Sequence, residues 1–233
     1  MNTKPPSHTV RAYADELTAL SDELARMGGL CERQVADCIA AVVRRDPALA
    51  SSVVEGDHQV DAMETAIERR VIRILALRQP MASDLRASIS AYRISGDLER
   101  VGDLAKNIAH RTHELNKSEP LELTRSVERM GKLVVANLHR CLNAFSTGSA
   151  DECLAVCSGD EEVDEHYNSL FRELLSFMIE DPTTITACAH LLFVAKNLER
   201  IGDHTTNIAE MIHYQLTGSE WRRELPHDPT SMA

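Results

Sequence analysis

The chain has 233 residues, with 36 Asp and Glu against 25 Lys and Arg, and a formal net charge of -11. That balance repels a polyanion, and no Lys/Arg block or aromatic-interleaved basic stripe offsets it, so the composition argues against nucleic-acid binding. Aromatics are only 4% while Ala, Leu, Glu and Arg are plentiful, a mixture that favours helices over strands, and 43% hydrophobic residues supply a core.

No window approaches the roughly 18 consecutive apolar residues of a membrane helix. The opening MNTKPPSHTV lacks the apolar core of a signal peptide. The expectation is a cytoplasmic protein without direct membrane insertion. Six cysteines without a CxxC pair fit that compartment as reduced, buried side chains. The scattered histidines, including the close pairs His110 with His113 and Glu210 with His213, read as surface residues.

Apolar residues recur at helical spacing through most of the chain, predicting an all-α fold of six helices. The first covers 9–45. Asp46 followed by Pro47 places a capping acid before a proline suited to a first helical turn, and opens the second helix, 47–78. Pro80 marks a tight connection to the third, 82–116. After the linker Asn116 to Glu119, Pro120 introduces the fourth, 121–147. Ser149 and Glu152 have capping-box spacing at the start of the fifth, 150–179. Asp181-Pro182 repeats the acid-proline start for the sixth, 183–217, and Gly218 stands where a helix stops. The closing stretch reads as a loose, disordered tail, 218–233.

The chain repeats itself. Arg26-Met27-Gly28 recurs as Arg129-Met130-Gly131, and Gly56-Asp57 with Val60-Asp61 recur as Gly159-Asp160 with Val163-Asp164, all at an offset of 103 (26 to 129, 56 to 159). Beyond the hairpin the offset is 100: LERVGD, Leu98 to Asp103, recurs as LERIGD, Leu198 to Asp203, and Asn107 to Ala109 recurs as Asn207 to Ala209. Three residues are lost at the turn between the second and third helices, where shortening disturbs least. The organisation is two tandem, pseudo-symmetric three-helix bundles, 1–117 and 118–217.

Each unit carries one acid pair at i, i+4 near the start of its second helix and another in its third. They are Asp57 with Asp61 and Glu99 with Asp103, then Asp160 with Asp164 and Glu199 with Asp203. Residues four apart share a helix face. Asp61 and Glu99 each stand 19 residues from Pro80, and Asp57 and Asp103 each stand 23, so antiparallel helices bring them to matching heights. The second copy keeps the match around Pro182 within a residue.

Carboxylates converging in this way repel; at an effective dielectric of 20, two like charges about 4 Å apart cost about 4 kcal/mol. A positive partner is required. Arg100 and Arg200 follow each Glu but point about 100° away around the helix, and Arg69 and Arg70 lie further along the second helix. A hard cation with oxygen ligands, Mg, Mn, Ca or Fe, satisfies the cluster directly. Gly102 and Gly202, mid-helix beside each Asp, indicate either close helix packing or a ligand shell.

PMASDLRASISAYRISGDLERVGDLAKNIA in the first copy and FVAKNLERIGDHTTNIAE in the second resemble the PhoU family, the accessory and regulatory proteins of bacterial phosphate uptake. The likeness runs from about residue 10 to 217 and includes the duplication and both acid pairs per unit. It implies two three-helix bundles, no catalysis, and metal ions held by Asp57, Asp61, Glu99, Asp103, Asp160, Asp164, Glu199 and Asp203. It further implies partners: the ATPase subunit of the phosphate ABC transporter and a phosphate-sensing histidine kinase, whose starvation response such proteins restrain, with any membrane association made through them. A homodimer is expected with it. Two departures separate the halves, His110 against Glu210 and Asp97 against Asn197, and Asp84-Leu85-Arg86 has no counterpart at Thr184 to Thr186. Two other readings compete. A carboxylate-bridged di-iron oxidase needs a Glu-x-x-His motif on each of two helices, and only Glu210 to His213 has that spacing. A plain helical scaffold leaves the acids as a solvated face.

Overall fold

The computed structural model describes residues 7–221. The elements are α1 (Ser7–Arg44), α2 (Pro47–Arg78), α3 (Ala82–Leu115), α4 (Thr124–Thr147), α5 (Ala150–Glu180) and α6 (Ile185–Thr217), with a short 3-10 turn, Pro182–Thr184, before α6. The local signals act as expected. The Asp46 carboxylate accepts from the backbone N–H of Ala48 at 3.0 Å and of Leu49 at 3.1 Å, and the Ser149 hydroxyl accepts from Glu152 N–H at 3.4 Å. Gly218 adopts the left-handed conformation, φ 77°, as α6 ends. The predicted tail falls mostly outside the described residues, although Trp221 packs against the core.

Six helix boundaries differ from expectation by one to three residues, and two of these have a visible local cause. The fourth helix starts at Thr124 rather than 121, because Leu121, Glu122 and Leu123 are used in successive i to i+3 turns, their carbonyls accepting from Thr124, Arg125 and Ser126. At Asp181 the capping carboxylate accepts from Thr183 N–H at 3.0 Å, but it caps the 3-10 turn, and α6 proper begins at Ile185.

Helices α1 to α3 pack as one bundle and α4 to α6 as another, and α1 also meets α4 while α3 meets α6. Helix α3 runs antiparallel to α6: Asp97 meets His204, Arg111 lies over the Phe193 ring, and Arg86 lies against Gly218. The hairpin turns that precede α3 and α6 therefore sit at opposite ends of the molecule. The buried stripe of α1, Leu24, Met27, Cys31, Val35 and Cys38, recurs on α4 as Val127, Met130, Val134, Leu138 and Cys141, and both belong to one continuous core. Each large side chain removed from water here contributes about 1.5–3 kcal/mol.

The repeated Arg-Met-Gly segment explains how the halves lock. A Cβ on Gly28 would run into the Leu142 side chain, and one on Gly131 would fall 2.7 Å from Ile39 Cδ1. Ile39 and Leu142 occupy equivalent positions in the two copies, so each half offers a glycine notch to the other's branched side chain.

Candidate functional site

In the first half, α2 presents Asp57 and α3 presents Asp103 at one height, and the Lys106 ammonium, one turn beyond Asp103, joins them. It donates to Asp103 Oδ1 at 2.6 Å and also to Asp57 Oδ2. Asp57 is 2% exposed, and its other oxygen, Oδ1, is buried without a hydrogen-bond partner. The two carboxylates hold the ammonium charged, raising Lys106 well above the ordinary lysine range. The counted register holds in this half.

Glu99 stands a turn before Asp103 on α3 and feels the charge of Asp61 on α2. Burial pushes its carboxyl up, the charges of Asp103, Asp61 and Glu64 add to that, and Arg100 opposes it. Arg100 corrects the argument from helix geometry: its long side chain folds back to bring Nε 3.4 Å from Glu99 Oε2 and Nη1 3.6 Å from Asp103 Oδ2. Arg70 plays no part here and pairs with Glu23 on α1.

Gly102 has its reason in this cluster. A Cβ there would lie 3.3 Å from Asp57 Oδ1, 3.3 Å from Val60 Cγ1 and 3.4 Å from Gln34 Oε1, so the glycine lets α2 press its carboxylate against α3. Gly202 does the same, with Asp160 Oδ1 at 3.2 Å and Val163 Cγ1 at 3.4 Å from the corresponding point. At both glycines what approaches is a carboxylate of the neighbouring helix. Asn107 and Asn207 are solvent-exposed.

The second half repeats the backbone but not the counter-ion. Position 206, equivalent to Lys106, is Thr, and Glu199 is paired instead by Lys196, equivalent to Gly96, whose ammonium lies 2.6 Å from both Glu199 oxygens. Asp203 adds to the field that raises Lys196.

Residue-by-residue reading of the sequence missed Lys106 and Lys196, although each stands three residues from an acid of the motif. It also missed Gln34 and Asn137, equivalent positions on α1 and α4. Gln34 is buried with neither amide atom paired, 3.3 Å from the Cβ point of Gly56, and the Asn137 amide donates to the Gly159 carbonyl at 3.5 Å. Their signal was the offset of 103 that relates them (34 to 137).

For a metal ion the donor chemistry fits, since every candidate is a hard oxygen ligand and Asp57 Oδ1 is buried and unused. The arrangement described is charge-compensated in another way: Lys106 stands between Asp57 and Asp103. Among the described residues no three Asp, Glu, His or Cys side chains are grouped so as to hold a metal ion.

Fold and site together define an internally duplicated helical bundle with one carboxylate face in each half. The PhoU domain model matches residues 24–112 and 127–212, one match within each half. The chain is 57% identical over 220 residues, 94% of its length and 96% of the relative's, to a phosphate-specific transport system accessory protein PhoU homolog of Caulobacter vibrioides. It is 37% identical over 215 residues, 92% and 89% of the two lengths, to the phosphate-specific transport system accessory protein PhoU of Escherichia coli. Among solved structures, PhoU from Pseudomonas aeruginosa superposes with a TM-score of 0.86 at 39% identity, covering 89% of this chain and 100% of that one. The chain belongs to the PhoU family. That family is non-enzymatic, which removes the di-iron oxidase reading.

Proposed function

We propose that this chain is an accessory protein of phosphate transport that regulates uptake and restrains phosphate-starvation signalling, working in the cytoplasm as an adaptor between the transporter's ATPase subunit and a sensor histidine kinase. The relatives' names support the transport role. The observation that favours an adaptor is that the two hairpin ends are alike in shape and unlike in charge.

Equivalent positions on the two hairpins carry exposed apolar side chains, Ile72 with Leu175 and Leu85 with Ile185, Leu77 is exposed beside them, and Met81 and Ile179 are each 80% exposed. From 69 to 93 there are six arginines and one acid, Asp84, and after Arg70 and Arg78 pair with Glu23 and Glu16 of α1 four arginines remain; from 172 to 193 there is one arginine, Arg172, and three acids, Glu173, Glu180 and Asp181. Exposed apolar side chains rimmed by charge mark docking surfaces, and opposite charge selects different partners. No described helix is long and apolar enough to cross a membrane, and in this proposal any membrane association runs through a partner.

The eight carboxylates are proposed as the metal-binding faces, with Mg, Mn, Fe or Ca as the ion. A bound divalent cation would supply the positive charge that brings α2 to α3, and α5 to α6, without lysine. The residues themselves set which helix faces meet, and hence how the hairpin ends are presented.

The test is calorimetric binding of the purified chain to the isolated transporter ATPase and to the kinase's cytoplasmic portion, each against Leu77→Asp/Met81→Asp and Ile179→Asp/Ile185→Asp variants. Loss of one partner per variant is the expected result. Retention of both partners by both variants, or the absence of binding by the wild type, would overturn the adaptor reading.

A further inference from the structure

We infer that Lys106 is the resident cation of the first carboxylate face, a built-in competitor that must withdraw before a hard divalent cation can bind between Asp57 and Asp103. This rests on the metal reading above and concerns how readily the first half takes up the ion.

The geometry carries the inference. Asp57 is 2% exposed, one of its oxygens has no hydrogen-bond partner, and the other is bound by Lys106. The same ammonium reaches Asp103 Oδ1 at 2.6 Å, so one point charge occupies the two carboxylates that would hold the ion. The site and its competitor cannot be occupied together. Lys106 is free to leave, because 28% of its side chain is solvent-exposed and a four-carbon stem lets its charge reach water.

The second copy provides the comparison within the chain. In the segment after the motif, Asp103-Leu104-Ala105-Lys106 aligns with Asp203-His204-Thr205-Thr206, so the lysine belongs to one half alone. Lys196 cannot stand in for it. It is anchored on Glu199 from the preceding turn, with 49% of its side chain exposed. The duplicated backbone thus carries two cation arrangements, one clamping the buried Asp57 with Asp103 and one resting on Glu199.

Losing a charge-assisted competitor of this kind changes affinity by about ten- to a hundredfold. The chelator-treated full chain is titrated with Mn²⁺, and free ion is read by its electron paramagnetic resonance signal. Wild type is compared with Lys106→Thr, which installs the second half's residue, with Lys106→Gln, with Lys106→Arg, and with Lys106→Thr/Asp103→Asn. Thermal unfolding of each is followed with and without Mn²⁺.

The expected result is that Lys106→Thr and Lys106→Gln bind one Mn²⁺ about ten- to a hundredfold more tightly. They also gain more thermal stability from Mn²⁺ than wild type does, Lys106→Arg stays close to wild type, and Asp103→Asn abolishes the gain. Lys106→Gln serves if Lys106→Thr does not fold. Mn²⁺ binding of unchanged affinity in the neutral variants would overturn the competitor role while leaving the metal reading intact. No Mn²⁺ uptake by any of the proteins would overturn both.

Discussion

In metal-free protein, replacing the cation of the first carboxylate face should damage the fold more than neutralising its most buried anion. Lys106→Met leaves Asp57, 2% exposed, with neither oxygen paired, and leaves Asp103 facing it. Breaking a buried pair from one side costs about 3–5 kcal/mol, and because 28% of the lysine side chain is exposed, water can fill part of the space, bringing the expectation to about 2 kcal/mol. Asp57→Asn keeps the shape. Its amide oxygen can still accept from Lys106, its NH₂ can face Gln34 Oε1, which lies against the same point of Gly102 and has no partner, and a buried charge disappears. Those gains offset the weaker bond to Lys106, so the expected cost is under about 1 kcal/mol. The double variant should be more stable than Lys106→Met alone, with a coupling of about 1 kcal/mol or more. Urea unfolding at pH 7.5 in EDTA, followed by far-UV circular dichroism, measures all four proteins. Asp57→Asn proving costlier than Lys106→Met would refute the reasoning, because it would mean that the carboxylate's charge, rather than the lysine's, is what the packing needs.

Three further outcomes follow from other parts of the structure. Gly102→Ala should destabilise by about 1 kcal/mol, its crowding against Asp57 Oδ1, Val60 Cγ1 and Gln34 Oε1 outweighing a better helix propensity, whereas Gly96→Ala in the same helix meets nothing within 4 Å and should stabilise by up to about 1 kcal/mol. Equal shifts of the two urea midpoints would contradict this. Burial raises Glu210 above the ordinary carboxylate value of 4.5 against the pull of Arg93, so the folded state binds that proton more tightly than the unfolded chain. Its contribution is present below pH 4.5 and is lost as pH rises through the folded pKa. Glu210→Gln should therefore raise the melting temperature by about 2 °C at pH 7.5 and leave it unchanged near pH 4, as scanning calorimetry at the two pH values can test. All six cysteines are buried, and burial pushes Cys153 up to about 11 and Cys31 and Cys157 up to about 12. A disulfide reagent at pH 8 should thus label no thiol in the native protein within minutes and all six in guanidinium.

The parts of this molecule legible in the sequence are those set by local chemistry or by counting along a helix. Asp46 before Pro47 announces a helix start because the capping bonds reach only two and three residues ahead. The heights of Asp57 and Asp103 follow from Pro80 because both helices rise equally per residue. Counting says nothing about rotation across a third helix, which is why Gln34, brought onto Gly56 and Gly102 from α1, went unseen. Lys106 was within reach of the same i, i+3 argument that pairs acids with bases. Arg100 is less legible, because its side chain folds back with a flexibility that an i+1 angle does not describe.

The halves have kept their apolar interlock and changed their polar detail, and the physics of the two kinds of contact accounts for the difference. Gly28 with Leu142 and Gly131 with Ile39 are each other's images, so a larger residue in either notch forces the shared core apart. A charge needs only a nearby partner, and several positions can supply one. Lys106 serves the first face and Lys196 the second, and Asp97, which has Asn197 as its counterpart, bonds His204 across the halves at 2.9 Å. The same freedom extends to the hairpin ends, where Arg73 on one faces solvent and its equivalent on the other is Ser176. On the proposed adaptor role this division has a use: the shape satisfies both halves at once, while the surface charge of each end can be fitted to its own partner.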